Sequence, residues 1–371
     1  LKATNRDLLL FSNAPIIKNK KPGFKHELRL LPPEKARKYA KYFTIAREYD
    51  GGKDAFSKGW LYAFVGGKKA SGFISIAFDG SNSYLFNEIR FKNKTIGIEE
   101  GLCKVRFDGK QGRAVVKEAR KQLVWSGKGP EYEVVFTVRD GPNELKLTYS
   151  FSRIRRDIGY YKCIFEQYGS ILADWFLAPM HGKLLIESKG DLAKLGYADL
   201  KPLVGEPLES NFGYTECVHA NLPFLRAGWQ WSVLACQRDP GELQPEKFVG
   251  FFDFFIGNLF NCIPLNFQFY TVDVATGEFN VFSEAEMLVD KIEGVPRIKV
   301  TNAKGSVKLL IQSSSEGKRH SIKGKRLARF LKTADIDYRG YPSVGTAIID
   351  GKEYKAIGTS EFAGTGEGYW I

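Results

Sequence analysis

Over most of the chain, apolar residues recur at every second position, and the runs end at turn-forming pairs. Phe73-Ile74-Ser75-Ile76-Ala77-Phe78 stops at Asp79-Gly80. Val134-Val135-Phe136-Thr137-Val138 stops at Asp140-Gly141, and Leu145-Lys146-Leu147-Thr148-Tyr149 alternates beyond it. Ala347-Ile348-Ile349 stops at Asp350-Gly351. Alternation of this kind puts every other side chain on one face of a strand. Asp-Gly between two such runs marks a hairpin, because the tightest turn needs two residues with positive φ. Asp108-Gly109 and Ala275-Thr276-Gly277 add turns, and 298–301 and 307–311 flank another at 302–305. The pattern predicts an all-β, antiparallel meander.

Helical signals are few. Pro32-Pro33-Glu34 opens a candidate helix running to Phe43, with Pro suited to the first turn. Ser283 to Leu288 and Lys323 to Lys332 are candidate short helices, and Arg113 to Leu123 fits helix or strand. No strand–helix alternation of the doubly wound type appears. Turn residues between 187 and 212, including Gly190, Pro202, Gly205 and Pro207, interrupt the strand pattern. They divide the chain into a basic arm with a short helix (1–41) and two β-rich halves (42–200 and 201–371). Each half opens on a Trp-bearing strand, at Trp60 and Trp229, and can close a barrel of about eight strands.

Composition sharpens this picture. Of 371 residues, 14% are aromatic, which suits pleated, half-buried surfaces and an aromatic-lined cavity. The densest apolar stretch, Phe248 to Phe260, contains Gly250, Asp253, Gly257 and Asn258 and is too short for a spanning helix. The net charge is +13, and its excess is clustered. Residues 1–41 carry 11 basic and 3 acidic side chains, and residues 299–332 carry 10 and 1. Such clusters fit a solvated face or docking at an anionic membrane surface. Nucleic acid is disfavoured, since no DNA- or RNA-binding motif accompanies the charge. The five cysteines are scattered, with no C-x-x-C, so they read as small buried hydrophobes in a reducing compartment such as the cytoplasm.

Several kinds of chemistry find no support. Gly66-Gly67-Lys68 and Gly364-Thr365-Gly366-Glu367-Gly368 lack phosphate-loop spacing. The chain has four histidines, and the one E-x-x-H pair, Glu216 and His219, sits in a strand pattern, so no metal site is expected. No G-x-S-x-G or nucleophilic-Cys signature is present. The segment from Tyr214 to Trp231 is more specific: it holds an acid, a His, a Pro turn and a W-x-W strand. Trp229 and Trp231 fall on one face, filling a core or walling a cavity.

Three segments carry a resemblance. Phe56-Ser57-Lys58-Gly59-Trp60-Leu61-Tyr62 resembles the first-barrel opening of tocopherol cyclases. His219 through Trp231 resembles their second-barrel segment, and Ala356 to Gly366 resembles the closing strand of the same superfamily, which includes carotenoid 1,2-hydratases and fungal decalin-forming cyclases. The order is kept over about residues 42–371, with departures at Leu61, Cys217 and Val218. The resemblance implies two tandem lipocalin-like barrels holding an apolar isoprenoid or polyene. It also implies a cofactor-independent cyclase, hydratase or isomerase.

Protonating an alkene needs a positioned acid, and a carbocation is stabilised by aromatic faces. Glu216 is the first candidate acid, with His219 as its relay. Glu361 is the second, and Tyr214 is a hydrogen-bond donor to a substrate carbonyl. Trp60, Tyr62, Trp229 and Trp231 are candidate cavity walls, and His181 is a candidate at the seam between the halves. The bland alternatives stand beside each: salt bridges, structural hydrogen bonds and core packing. At the level of the whole protein the alternatives are a non-catalytic lipid carrier and an interaction protein with filled barrels.

Overall fold

In a computed structural model of the protein, the alternating segments become strands over nearly their whole length. The structure describes residues 16–18, 27–30 and most of 57–364, with side chains from residue 60 onward except in and beside a number of connections and strand ends. The candidate helix from Pro32 to Phe43 lies outside the described residues. By density of contacts the chain divides into two units, one of His26–Pro223 and one of Leu1–Lys25 with Phe224–Ile371. Strands are numbered along the chain, and β1 (Ile16–Lys18) belongs to the second unit.

The first unit contains β2 (Glu27–Leu30), β3 (Ser57–Gly66), β4 (Ala70–Asp79), β5 (Asn82–Phe91), β6 (Lys94–Gly97), β7 (Gly101–Cys103) and β8 (Val105–Asp108). It continues with β9 (Arg113–Lys117), β10 (Lys121–Lys128), β11 (Glu131–Asp140), β12 (Asn143–Arg153), β13 (Tyr160–Gln167), β14 (Ser170–Lys189) and β15 (Leu208–Asn221). Pairing is antiparallel in the order β6-β5-β4-β3-β15-β14-β12-β11-β10-β9-β8. Inward residues from both ends of that order, Ile89 and Ile98 at one and Val116 and Leu123 at the other, share one core with Trp125, Tyr149 and Phe151. The sheet therefore curls on itself.

A polar clasp joins its ends. Lys121 on β10 donates to the carbonyls of Glu99 and Leu102, and Arg120 pairs with the Glu99 carboxylate at 2.9 Å. Tyr197 also donates to Glu99, and its phenol is pushed up to about 12 by burial and by that neighbouring charge. A short helix, α1 (Leu192–Leu195), is capped by Asp191 and ended by Gly196 at φ 88°. With the 3-10 turn Ala198–Leu203 it adds Leu192, Leu195, Leu200 and Leu203 to the core.

The second unit contains β16 (Arg226–Gln237), β17 (Lys247–Gly257), β18 (Cys262–Asp273), β19 (Phe279–Phe282), β20 (Ala285–Ile292) and β21 (Val295–Asn302). It ends with β22 (Val307–Ser313), β23 (Arg319–Ile322), β24 (Arg326–Ala328), β25 (Leu331–Lys332), β26 (Ile336–Ile349) and β27 (Lys352–Gly364). The order is β1-β20-β21-β22-β26-β27-β16-β17-β18-β19. Phe269 and Phe282 at one end share a core with Ala285 and Met287 at the other, so this sheet also curls. The β26–β27 hairpin turns at Asp350 (φ 50°) and Gly351 (φ 78°), the two positive-φ residues its sequence demands. At Gly345 and Gly358 an added Cβ would lie 2.1 Å from the Leu310 carbonyl oxygen and 2.0 Å from that of Val233. Only glycine allows neighbouring backbones so close where the wall bends.

Several local expectations change. Ala285–Ile292 is a strand and not a helix, because Met287 and Val289 alternate into the core while β20 pairs with β21 along its length. Within Lys323 to Lys332 the described backbone is the short pair β24–β25. Arg113 to Leu123 resolves into β9, a turn and β10. The division of the chain falls after Pro223 and not near residue 200, because β15 pairs with β14 and β3. Among the described cysteines, Cys103 and Cys236 are free and buried, and burial pushes the Cys103 thiol up to about 11. No helix is long and apolar enough to cross a membrane among the described residues.

Two predictions concern this framework. A Cβ at Gly72 would lie 2.5 Å from Leu184 Cδ2 and 2.8 Å from Tyr149 Cε1. Gly72→Ala is expected to cost about 1–3 kcal/mol in denaturant unfolding. The cost should shrink in a Leu184→Ala background, and equal costs in both backgrounds would refute the steric account. At Asp273, burial opposes ionisation, but hydrogen bonds from Lys247 and Thr276 outweigh it and hold the carboxyl at about 2, below its usual 3.8. The folded pKa is depressed, so this stabilisation is present above pH 4 and is lost as pH falls through about 2. Asp273→Asn is expected to cost roughly 1 kcal/mol at pH 7. Melting curves of the two proteins should converge between pH 4 and pH 2.

Candidate functional site

The wall of the second unit is one residue thick, and its two faces differ. Leu234, Val249, Phe251, Tyr341, Ala356 and Phe362 point into the core. Their neighbours in sequence point outward. Near the Asp350-Gly351 turn this outward face is solvent-facing, with Val344 at 44% and Ile357 at 52% exposure. Further along the same strands it becomes buried. Trp229, Trp231, Phe252, Tyr338 and Glu361 are all below 9% exposed.

Register brings these five together. Trp231 lies opposite Phe252 on one side and opposite Glu361 on the other. Glu361 lies opposite Gly340, which has no side chain, and two pairs further, on the same face, Ala363 lies opposite Tyr338 and Trp229. Across that diagonal the Tyr338 hydroxyl donates to Glu361 Oε1 at 2.7 Å. The result is a buried carboxyl group with a phenol hydrogen-bonded to it, on a face that also carries two indoles and a phenylalanine. Such a group can give or take a proton, and aromatic surroundings favour cations over water.

The first unit carries a second aromatic face. Tyr62, Phe64, Phe73, Phe86 and Tyr214 are buried on the side of the wall opposite the core, and Trp60 is half-buried on the same side. Tyr62 lies 4.8 Å from Phe73 and 5.8 Å from Tyr214 between ring centres. Glu88, opposite Phe73 and 2% exposed, pairs with Arg90 at 3.1 Å.

The candidates from sequence thus fall into two groups. Trp229, Trp231 and Glu361 come together in the second unit, and Trp60, Tyr62 and Tyr214 in the first. Position 216 pairs with Tyr62 and position 219 with Gly59. Both positions lie on β15. The side chains of Glu216 and His219 lie outside the described residues. His181 is half-buried on β14, paired with Ser152.

Tyr338, Phe252 and Glu88 were not anticipated. Tyr338 was within reach: counting outward in step from the Asp350-Gly351 turn puts Gly340 opposite Glu361 and Tyr338 two pairs beyond, on the same face. Among the described residues no group of three or more His, Cys, Asp or Glu could hold a metal ion.

No protein-family model matches the chain, and no curated protein matches it in sequence. Solved structures do. An AttH-like protein from Nitrosomonas europaea superposes with a TM-score of 0.53 at 10% identity, covering 92% of this chain and 99% of its own. Kievitone hydratase from Nectria haematococca aligns with a TM-score of 0.46 at 9% identity, over 84% of this chain and 90% of its own. CghA, solved with Sch210972, aligns with a TM-score of 0.41 at 10% identity, over 83% and 88%. The first of these shows a shared fold, and at such identities the likeness concerns fold and not activity.

Proposed function

We propose that the protein is a cyclase, hydratase or isomerase that protonates a carbon–carbon double bond of an apolar isoprenoid or polyene substrate, with Glu361 as the acid. One observation carries this reading: a buried carboxyl group, hydrogen-bonded by Tyr338 at 2.7 Å, on a face shared with Trp229, Trp231 and Phe252. The Glu361 proton adds to one alkene carbon and leaves a carbocation at the other. The rings stabilise that cation while water is excluded. The cation then closes on a second double bond and loses a proton, loses a proton directly, or captures one water molecule and loses a proton from it; the Glu361 carboxylate takes the proton back in each case, giving the three reaction types. Tyr338 holds the carboxyl group in place and supports the carboxylate left after proton transfer. Resemblance to tocopherol cyclases and carotenoid hydratases at 56–62, 219–231 and 356–366 supports the same class. Glu216 remains a candidate by sequence, and Glu361 is preferred because its surroundings are on view.

The bound molecule can be identified by native mass spectrometry with organic extraction of the protein from its own source, and then offered back to purified protein in D2O. Wild type is expected to convert it with deuterium incorporated at carbon. Glu361→Gln should lower the rate by about 10²–10⁴-fold with binding retained. Tyr338→Phe should lower it by roughly tenfold, the loss of one hydrogen bond to a charged group. A molecule that binds and is returned unchanged by wild type would identify a carrier and sink the enzymatic reading.

A further inference from the structure

The inward face of the same strands has its own polar feature. Ser313 on β22 lies opposite Ser343 on β26. The Ser343 hydroxyl donates to Ser360 Oγ on β27 at 2.8 Å, and Ser360 Oγ lies 2.9 Å from Ser232 Oγ on β16. Two residues along β16, Gln230 lies opposite Asp253 on β17 and opposite Phe362 on β27, and Phe362 lies opposite half-buried Arg339. Ser232, Gln230, Asp253, Ser313, Ser343 and Ser360 are each at most 4% exposed.

A polar track therefore crosses the inside of the second barrel over five strands, beside Phe251, Tyr341 and Phe362. Its middle is satisfied: Ser232 also donates to the Thr359 carbonyl, and Ser343 approaches that of Tyr341. Its two ends are not. Ser313 Oγ and Gln230 Oε1 are buried with no hydrogen-bond partner. Leaving a buried polar atom unpaired costs about 1–3 kcal/mol, and native structures rarely tolerate it without an occupant. Both kinds of hydrogen-bonding group are present here: the Gln230 amide nitrogen and the Arg339 guanidinium donate. Gln230 Oε1 and the Asp253 carboxylate accept, and a serine hydroxyl does both.

We propose that the inside of the second barrel is a binding compartment separate from the Glu361 face. It takes a molecule with a small aromatic or aliphatic body and a hydroxyl group that donates to Gln230 Oε1. The inference stands on the inward face alone and does not depend on the reaction assigned to Glu361, which lies across the wall.

The probe pair is 4-ethylphenol and its methyl ether, 4-ethylanisole, which keeps the body and removes the donor. Binding to the full chain is read by calorimetry and by ligand-observed NMR. The phenol is expected to bind about tenfold more tightly than the ether. Gln230→Leu should abolish that preference, while Ser313→Ala, three strands away from the single hydroxyl, should leave it in place with the fold of both variants intact by circular dichroism. Tyr338→Phe, on the other face, should leave both affinities unchanged. Equal affinity for phenol and ether, or a preference that survives in Gln230→Leu, overturns the proposal. So does a crystal structure at saturating phenol in which ordered waters alone meet Gln230 and Ser313. Loss of phenol binding in Tyr338→Phe would place the phenol at the outward face and also overturn it.

Discussion

The structure depends on the alternation of a β-strand within a wall one residue thick. Trp229, Gln230, Trp231 and Ser232 are consecutive, yet the indoles face one side and the amide and hydroxyl the other. The same holds for Phe252 and Asp253, and for Ser360, Glu361 and Phe362. A slip of one residue would exchange the two faces entirely: the carboxyl group would enter the core and the serine track would leave it. Register is pinned by several local devices. The Asp350-Gly351 turn fixes the β26–β27 hairpin, which pairs without a break from Asp337 to Ile349. Gly345 and Gly358 allow backbone approaches that other residues would block. Lys247 and Asp273, paired across β17 and β18, tie the next hairpin in step.

This constraint also explains the aromatic excess. A strand with one wet face alternates apolar and polar, whereas one buried on both faces reads as a continuous apolar run. Within Phe248–Phe252 every described side chain is buried, Phe248 and Phe252 on one face and Val249 and Phe251 on the other. From Phe248 to Phe252 that dense stretch is a strand with two dry sides. Gly250 fits the same logic, since a Cβ there would lie 2.5 Å from the Tyr270 hydroxyl.

What was legible in the sequence was local. Asp-Gly turns at 79, 140 and 350 mark hairpins that form where the residues say. Period two puts Trp229 with Trp231, and Tyr62 with Trp60, on common faces. What was not legible was long-range. The pairing of β16 with β27 joins residues more than a hundred positions apart, and no turn signal announces it. Glu361 could be suspected from sequence, but its meeting with Trp231 could not. Nor could the serine track, whose members come from four separate strands. Glu216 and His219 are three residues apart on β15. A spacing of three unites side chains on a helix and divides them on a strand, so a metal-like or relay-like motif changes meaning with the backbone beneath it.

Stability and chemistry are segregated along the second barrel. Toward the Asp350-Gly351 turn the inward residues are Cys236, Val249, Ala347, Ile349, Tyr354 and Ala356, which pack without buried carboxyl groups. The polar atoms there sit at the surface and are paired, as at Lys247–Asp273 and Arg238–Glu246. Away from the turn the same strands bury a glutamate, an aspartate, a glutamine and four serines, and leave two oxygens unpartnered. The two unpartnered oxygens, on Gln230 and Ser313, are each unfavourable by about 1–3 kcal/mol, whereas the serines between them are hydrogen-bonded. An apolar residue at position 230 or 313 would leave no oxygen unpaired there. A barrel kept only for its shape gains nothing from the arrangement. A barrel that must present a proton donor on one side of its wall and hydrogen-bond acceptors on the other cannot avoid it, and the well-packed turn end supplies the stability that offsets the loss.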